Sequence, residues 1–183
     1  MVKHSLARPP VSGGQFSVGS GFQYPANNLA LVGHVTWKDR PAQPNARQQL
    51  PITITLKLGA NEVNYPSTTT DANGFFTVTV SSLAPGTYNY RIKGPKYLAR
   101  SSTLALTGNL VTNVEMGALL VGDANDDNII SISDFNILKN TFGRQIGDPG
   151  YDDRADFTGD QLVTITDFNL MKNNFGSAGA PPP

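Results

Sequence analysis

One stretch of this chain is written twice. Asp123-Ala-Asn-Asp-Asp-Asn-Ile-Ile-Ser-Ile-Ser-Asp134 continues as Phe-Asn-Ile-Leu-Lys-Asn-Thr-Phe-Gly143, and Asp156-Phe-Thr-Gly-Asp-Gln-Leu-Val-Thr-Ile-Thr-Asp167 continues as Phe-Asn-Leu-Met-Lys-Asn-Asn-Phe-Gly176. Every position of the first copy has its counterpart 33 residues later, with no gap inside. A fixed offset held over this length marks a duplicated structural unit. The unit must therefore fold as two like halves, and whatever the first half holds the second is built to hold too.

What each half holds follows from its oxygens. Positions 1, 3, 5, 9 and 12 of the first twelve-residue stretch are Asp123, Asn125, Asp127, Ser131 and Asp134. In the second they are Asp156, Thr158, Asp160, Thr164 and Asp167. A calcium ion takes six to eight hard oxygen ligands, and a twelve-residue loop supplies them from these positions plus the backbone carbonyl of position 7, here Ile129 and Leu162. The apolar residues at position 8, Ile130 and Val163, are expected to let the two loops pair with each other in a short antiparallel contact.

Immediately after position 12 the apolar period becomes helical. Phe135, Leu138 and Phe142, then Phe168, Met171 and Phe175, recur at i, i+3 and i+7. Asp134 and Asp167 fall in the first helical turn, where negative charge is favoured. Gly143 and Gly176 stand where a left-handed cap ends a helix. No helical period precedes either loop.

A duplicated calcium loop with only the exiting helix, and Asp at position 12, resembles the dockerin domain over about residues 119–177. The resemblance implies two calcium ions, a compact three-helix fold and docking onto a cohesin module of another protein. In cellulosomal dockerins, loop positions 10 and 11 and the outer helix face meet the cohesin. Carried over by position, these are Ile132, Ser133, Lys139, Asn140 and Arg144, and in the second copy Ile165, Thr166, Lys172, Asn173 and Ser177. Ile replaces the small polar residue at position 10 in both copies. Ile132 and Ile165 are then either core residues or an apolar docking patch. The matched copies allow either one to present the same face after a half-turn.

Two positions depart from the loop pattern. Position 6 turns through the left-handed region and usually carries Gly, but here it is Asn128 and Gln161. Asn tolerates that region, and Gln there is expected to cost about 1–2 kcal/mol. Position 3 of the second loop is the neutral Thr158. Both departures predict a weaker second site, by roughly tenfold, which is about 1.4 kcal/mol.

Upstream the period changes to two. Leu29–Trp37 opens it, and Ile52, Ile54, Leu56 and Leu58 alternate with Thr53, Thr55 and Lys57. Phe76, Val78 and Val80 follow the turn Asp71-Ala-Asn-Gly74, and Tyr88–Ile92 follows Pro85-Gly86. Residues 103–107 and 111–116 complete six or seven strands with turn signals between them, which predicts an antiparallel β-sandwich. The order Gly33-x-Val35, Thr70-Asp-Ala-Asn-Gly-Phe-Phe76 and Leu83-Ala-Pro-Gly-Thr-Tyr88 resembles the carboxypeptidase-regulatory-like and Cna-B-like sandwiches, and the X modules beside some dockerins. That resemblance implies an Ig-like or prealbumin-like companion domain without catalysis. Loop 39–51, with Pro41, Pro44 and Pro51, is long for a hairpin and is expected to reach a partner.

The expected organisation is multidomain: a leader over 1–26, a β-sandwich over 27–118, an all-α dockerin with two EF-hand-like loops over 119–177 and a disordered tail over 178–183. The Gly-, Ser- and Pro-rich leader reads as a linker, or, through Gln15-Phe-Ser-Val-Gly and Gly21-Phe-Gln-Tyr24, as a strand donated to a neighbouring sheet. Net charge is zero but divided: residues 1–121 carry ten Lys and Arg against four acids, and residues 122–183 carry four against ten Asp. Opposite halves joined without a spacer are expected to face each other. With no Cys, the small acidic half has no disulfide to hold it, and calcium takes that role. This places the chain where calcium is millimolar, outside the cell or on its surface. No apolar run reaches the length of a membrane span.

Catalytic signatures are missing. His4 and His34 stand apart from any acid–base constellation, and no nucleophile elbow, zinc helix, phosphate loop or dinucleotide fingerprint occurs. Basic residues are not striped with aromatics as nucleic-acid binders are. Three functions fit this reading. The first is a non-catalytic extracellular calcium-binding module for dockerin–cohesin assembly. The second is a self-assembling subunit of a filament or surface layer, whose partners are copies of itself. The third is the C-terminal piece of a secreted carbohydrate-active enzyme.

Overall fold

The computed structural model describes residues 29–183; the leader and its expected strand donation lie outside the described residues. Among the described residues nine strands precede two α-helices: β1 Ala30–Trp37, β2 Pro51–Leu58, β3 Asn61–Thr69, β4 Phe75–Thr79, β5 Gly86–Lys93, β6 Lys96–Tyr97, β7 Arg100–Leu106, β8 Val111–Leu119, β9 Val121–Asp123, α1 Ile132–Thr141 and α2 Ile165–Asn174. They form a three-stranded sheet in the order β4-β1-β8, a four-stranded sheet in the order β3-β2-β5-β7, and a two-stranded sheet of β6 and β9.

The period-two pattern works as read. Leu31, Val35, Trp37, Phe76, Val78 and Met116 from the first sheet share one core with Ile52, Ile54, Leu56, Tyr90, Ile92 and Leu104 from the second. Trp37 is fully buried, donates from Nε1 to Thr70 Oγ1 at 3.0 Å and lies 4.8 Å from the Tyr97 ring. Gly33 pairs with Phe76, and a Cβ at residue 33 would strike the Phe76 ring. The strands are not all antiparallel, however. β8 runs parallel to β1, with Leu31 opposite Thr112 and Trp37 opposite Leu119. A parallel neighbour needs a long crossover, and the whole second sheet provides it.

Three further expectations are corrected. Loop 39–51 does not reach outward but closes over β1. Gln48, 1% exposed, accepts from Trp37 N at 3.2 Å and donates to the Pro41 carbonyl at 2.7 Å, while Gln43 donates to the Val35 carbonyl at 2.8 Å. The tail is not loose. Ala180 N donates to the Ala99 carbonyl at 2.8 Å, Arg91 Nε donates to the Ala180 carbonyl at 2.9 Å, and Lys57 Nζ donates to the Pro183 carbonyl at 2.6 Å. Proline lacks a backbone donor, yet its carbonyl still accepts, and Lys57 of the second sheet uses that. The expected three helices are two α-helices and a single 3-10 turn, Asp153–Ala155, capped by the Asp152 side chain.

The two halves share a seam. β9 begins the repeat region and pairs with β6 of the strand-rich half, Val121 opposite Tyr97 and Asp123 opposite Lys96. Asn174, at the end of α2, donates to the Val121 carbonyl at 2.8 Å. Basic residues meet acidic ones across this seam, as the charge division implied: Lys93 with Asp123 at 2.9 Å, Lys93 with Asp126, and Lys96 with Asp153 at 2.7 Å.

Candidate metal loops and docking face

Each loop is closed by its own side chains. Ser131 and Thr164, at position 9, are the N-caps of α1 and α2, accepting from Ser133 N and Thr166 N at 3.2 Å. Asp134 and Asp167, at position 12, answer in the reciprocal half of a capping box, accepting from Ser131 N at 2.8 Å and Thr164 N at 2.9 Å. Their other oxygens reach across the loop to position 3: Asn125 N donates to Asp134 Oδ1 and Thr158 N to Asp167 Oδ1, each at 3.0 Å. This double use of position 12 was readable as Ser/Thr-x-x-Asp before a helix, a signal the sequence reading passed over in favour of ligand positions alone.

Position 1 is the buried floor of each loop. Asp156 Oδ1 accepts from Gly159 N at 2.7 Å and Asp160 N at 3.2 Å, and its Oδ2 accepts from Gln161 N at 2.8 Å and the Tyr151 hydroxyl at 3.2 Å. Burial, with the negative charge of Asp156, holds the Tyr151 hydroxyl pKa above its ordinary value. Asp123 Oδ2 accepts from Asn128 N at 3.0 Å and from Lys93 Nζ at 2.9 Å, whereas its Oδ1 is buried with no partner. Burial raises the Asp123 pKa against the opposing pull of Lys93. At position 6, Asn128 and Gln161 stand at φ of 70° and 71°, the left-handed conformation expected of them.

The loops do not pair with each other. Each pairs with the segment that follows the other copy's helix. Gly176 N donates to the Ile130 carbonyl at 2.8 Å and Ile130 N to the Ser177 carbonyl at 2.9 Å; Gly143 N donates to the Val163 carbonyl at 2.8 Å and Val163 N to the Arg144 carbonyl at 2.9 Å. The exchange is reciprocal, so neither half can form its loop bonds alone. Ile130 and Val163 are fully buried, and Phe135 meets Phe168 edge-on at 6.2 Å.

The donor set fits a hard divalent cation. Asp123, Asp134, Asp156 and Asp167 are each at most 1% exposed, two carboxylates to a loop. Buried carboxylates without a compensating cation are strongly unfavourable, and no ion pair joins Asp134, Asp156 or Asp167 to a basic side chain among the described residues. The orphaned Asp123 Oδ1 is a ready oxygen ligand. The remaining acids do not converge: among the described residues no three Asp, Glu or His side chains stand together as a metal shell. Asp127 and Asp160 instead accept from Ile129 N at 2.9 Å and Leu162 N at 3.1 Å.

Of the two readings of position 10, the structure gives exposure: Ile132 is 61% and Ile165 58% exposed. Ser133, Lys139, Asn140, Arg144, Thr166, Lys172 and Asn173 are exposed with them, and Ser177 is half-buried. Phe142 and Phe175, expected on the buried helix stripe, are instead exposed at 49% and 53%. Each lies past its helix at the C-cap, with φ near −58° and ψ near 135°, where the helical period no longer fixes its direction. His34, read as incidental, bonds Glu115 through Nδ1 and Gln43 through Nε2, neither of them in either twelve-residue loop.

Residues 121–176 match the family model of the dockerin type I domain. Among solved structures, a C-terminal interface mutant of the type II cohesin-X-dockerin complex from Acetivibrio cellulolyticus aligns with TM-score 0.62 and 20% identity, covering 82% of this chain and 97% of that one. An N-terminal interface mutant of the same complex aligns with the same values. At this identity the likeness is one of fold. No curated protein matches the chain.

Proposed function

We propose that the dockerin type I domain carried at residues 121–176 binds two calcium ions in EF-hand-like loops and docks a cohesin-like module, which makes this chain a non-catalytic extracellular assembly module. The observation that carries the reading is the doubled pair of buried carboxylates beneath a doubled exposed face. In the first loop Asp123, Asn125, Asp127, the Ile129 carbonyl, Ser131 and Asp134 would hold the ion; in the second, Asp156, Thr158, Asp160, the Leu162 carbonyl, Thr164 and Asp167. Calcium supplies the positive charge that Asp134, Asp156 and Asp167 lack, and in the first loop it adds to that of Lys93. The chain's own residues do the rest. The capping boxes fix where each helix starts, and the exchanged strand bonds fix one half against the other. Together they hold Ile132 and Ile165 at a set distance for a partner. The strand-rich half, of Ig-like or prealbumin-like kind, acts as a rigid companion to that platform.

The likeness in fold to cohesin-X-dockerin complexes supports a cohesin as the partner. Assembly with copies of itself has less support. The opposite charges that would drive a head-to-tail contact are paired within the chain, Lys93 and Lys96 with Asp123, Asp126 and Asp153. Titration calorimetry against a panel of type I and type II cohesin modules tests the reading. It expects binding in calcium and none in EDTA, little loss in Ile132→Asp or Ile165→Asp alone, and at least hundredfold loss in the double variant with calcium binding retained. A double variant that docks normally removes this face from the account, and a panel that yields no binder contradicts the partner class.

A further inference from the structure

The two loops share a sequence pattern but not a neighbourhood. Lys93, the last residue of β5, reaches into the first loop from the other half of the molecule. Its side chain is only 12% exposed, and its ammonium donates to the Tyr97 carbonyl at 2.8 Å, to the Gly94 carbonyl at 3.3 Å, to Asp123 Oδ2 at 2.9 Å and to Asp126. Two of these partners are carbonyls of its own hairpin, so the ammonium is anchored there and does not depend on the loop for its place. The second loop has no equivalent. Lys96 reaches the Asp153 carboxylate and the backbone carbonyl of Asp156, not the Asp156 side chain. Arg40 packs over Gly159 but donates to the Tyr97 hydroxyl and the Arg47 carbonyl.

We infer that Lys93 is a built-in cation of the first loop, which holds one oxygen of Asp123, leaves the other as the ligand, and so both lowers the first site's calcium affinity and ties that site to the strand-rich half. The inference rests on the calcium reading above. A unit charge and a divalent ion a few ångströms apart repel by more than a tenfold change in affinity even at the dielectric constant of water. Thr158 weakens the second site through its ligand chemistry; Lys93 weakens the first through its charge. The two sites of the natural chain therefore lie closer in affinity than their ligands alone would set them.

The test is calcium titration calorimetry on the full chain, with Asp156→Ala isolating the first site. Adding Lys93→Met, which keeps the length of the side chain and loses the charge, is expected to tighten that site by about tenfold or more. Lys93→Gln, which keeps a donor for the Tyr97 carbonyl, is expected to do the same and serves if Lys93→Met fails to fold. Lys93→Arg is expected to stay near the parent. The same neutral variants lower the melting temperature of the calcium-free chain, where the tie to Asp123 is lost, while the calcium-loaded chain changes less. Unchanged first-site affinity in both neutral variants, with both sites binding calcium, overturns this inference alone. No calcium binding by the natural chain overturns it together with the reading it rests on.

Discussion

The strand-rich half and the repeat half bury opposite things. The first closes on Trp37, Ile54, Leu56, Phe76, Ile92 and Met116, an apolar core that needs nothing from solution. The second places four carboxylates at its centre beside a smaller apolar set, Ile130, Leu138, Phe157, Val163 and Met171. Apolar burial contributes about 25 cal/mol per Å² and needs no bound ion. Buried carboxylates stabilise only when something positive joins them. On the calcium reading proposed above, one chain thus contains a half whose stability is its own and a half whose stability is conditional on an ion.

Substitutions in the two halves should therefore answer to calcium differently. The largest effect is expected from Trp37→Ala, which empties the centre of the apolar core and breaks the bond to Thr70. It should cost about 3–5 kcal/mol, by the same amount in calcium and in EDTA when followed by denaturant unfolding. A loss that calcium relieves would break the distinction between the halves. Gln161→Gly is expected to stabilise the repeat half by about 1 kcal/mol, because φ of 71° suits glycine better than glutamine. Asn128→Gly should give less than half of that, Asn being tolerant of this region. A larger gain at residue 128 would show that the Asn128 side chain, which accepts from Ala99 N and donates to the Ala180 carbonyl, contributes nothing.

The smallest effect is a pH dependence confined to the strand-rich half. Burial lowers the His34 pKa, but its hydrogen bonds to Glu115 and Gln43 and the charge of Glu115 outweigh that, and the net shift is upward. A raised folded-state pKa contributes stability below the ordinary histidine value of about 6.5, and the contribution fades as pH rises through the folded-state value. Glu115 is largely exposed, so a few tenths of a kcal/mol are expected. Melting curves in the pH range just above 6.5 should show the slope in the natural chain and lose it in His34→Ala. A slope of opposite sign would contradict the pairing.

The repeat made the second half legible in detail, because a loop and its exiting helix are local. The helix starts and the left-handed Asn128 and Gln161 could be read within twelve residues. The exchange of pairing between copies could not. Ile130 and Val163 look the same whether they pair with each other or with Gly176 and Gly143, since only the topology decides. In the first half, β3 escaped notice. It is an edge strand of mostly polar residues, Asn61–Thr69, paired only with β2 and interrupted at Pro66, where the register shifts between Ile52 and Ile54. Edge strands are commonly polar and tolerate proline, so the alternation that marks a buried strand is absent. Lys93 was one of ten scattered bases, and its place against Asp123 depends on a hairpin meeting a loop thirty residues away.

The central claim is that bound calcium makes the repeat half a rigid platform while the strand-rich half stands without it. Amide hydrogen exchange of the full chain, followed residue by residue in calcium and after exhaustive EDTA dialysis, tests this directly. Protection in α1 and α2 should collapse on chelation by at least a hundredfold, about 2.7 kcal/mol, while β1, β2 and β5 keep theirs. Helices that remain equally protected in EDTA would contradict the account.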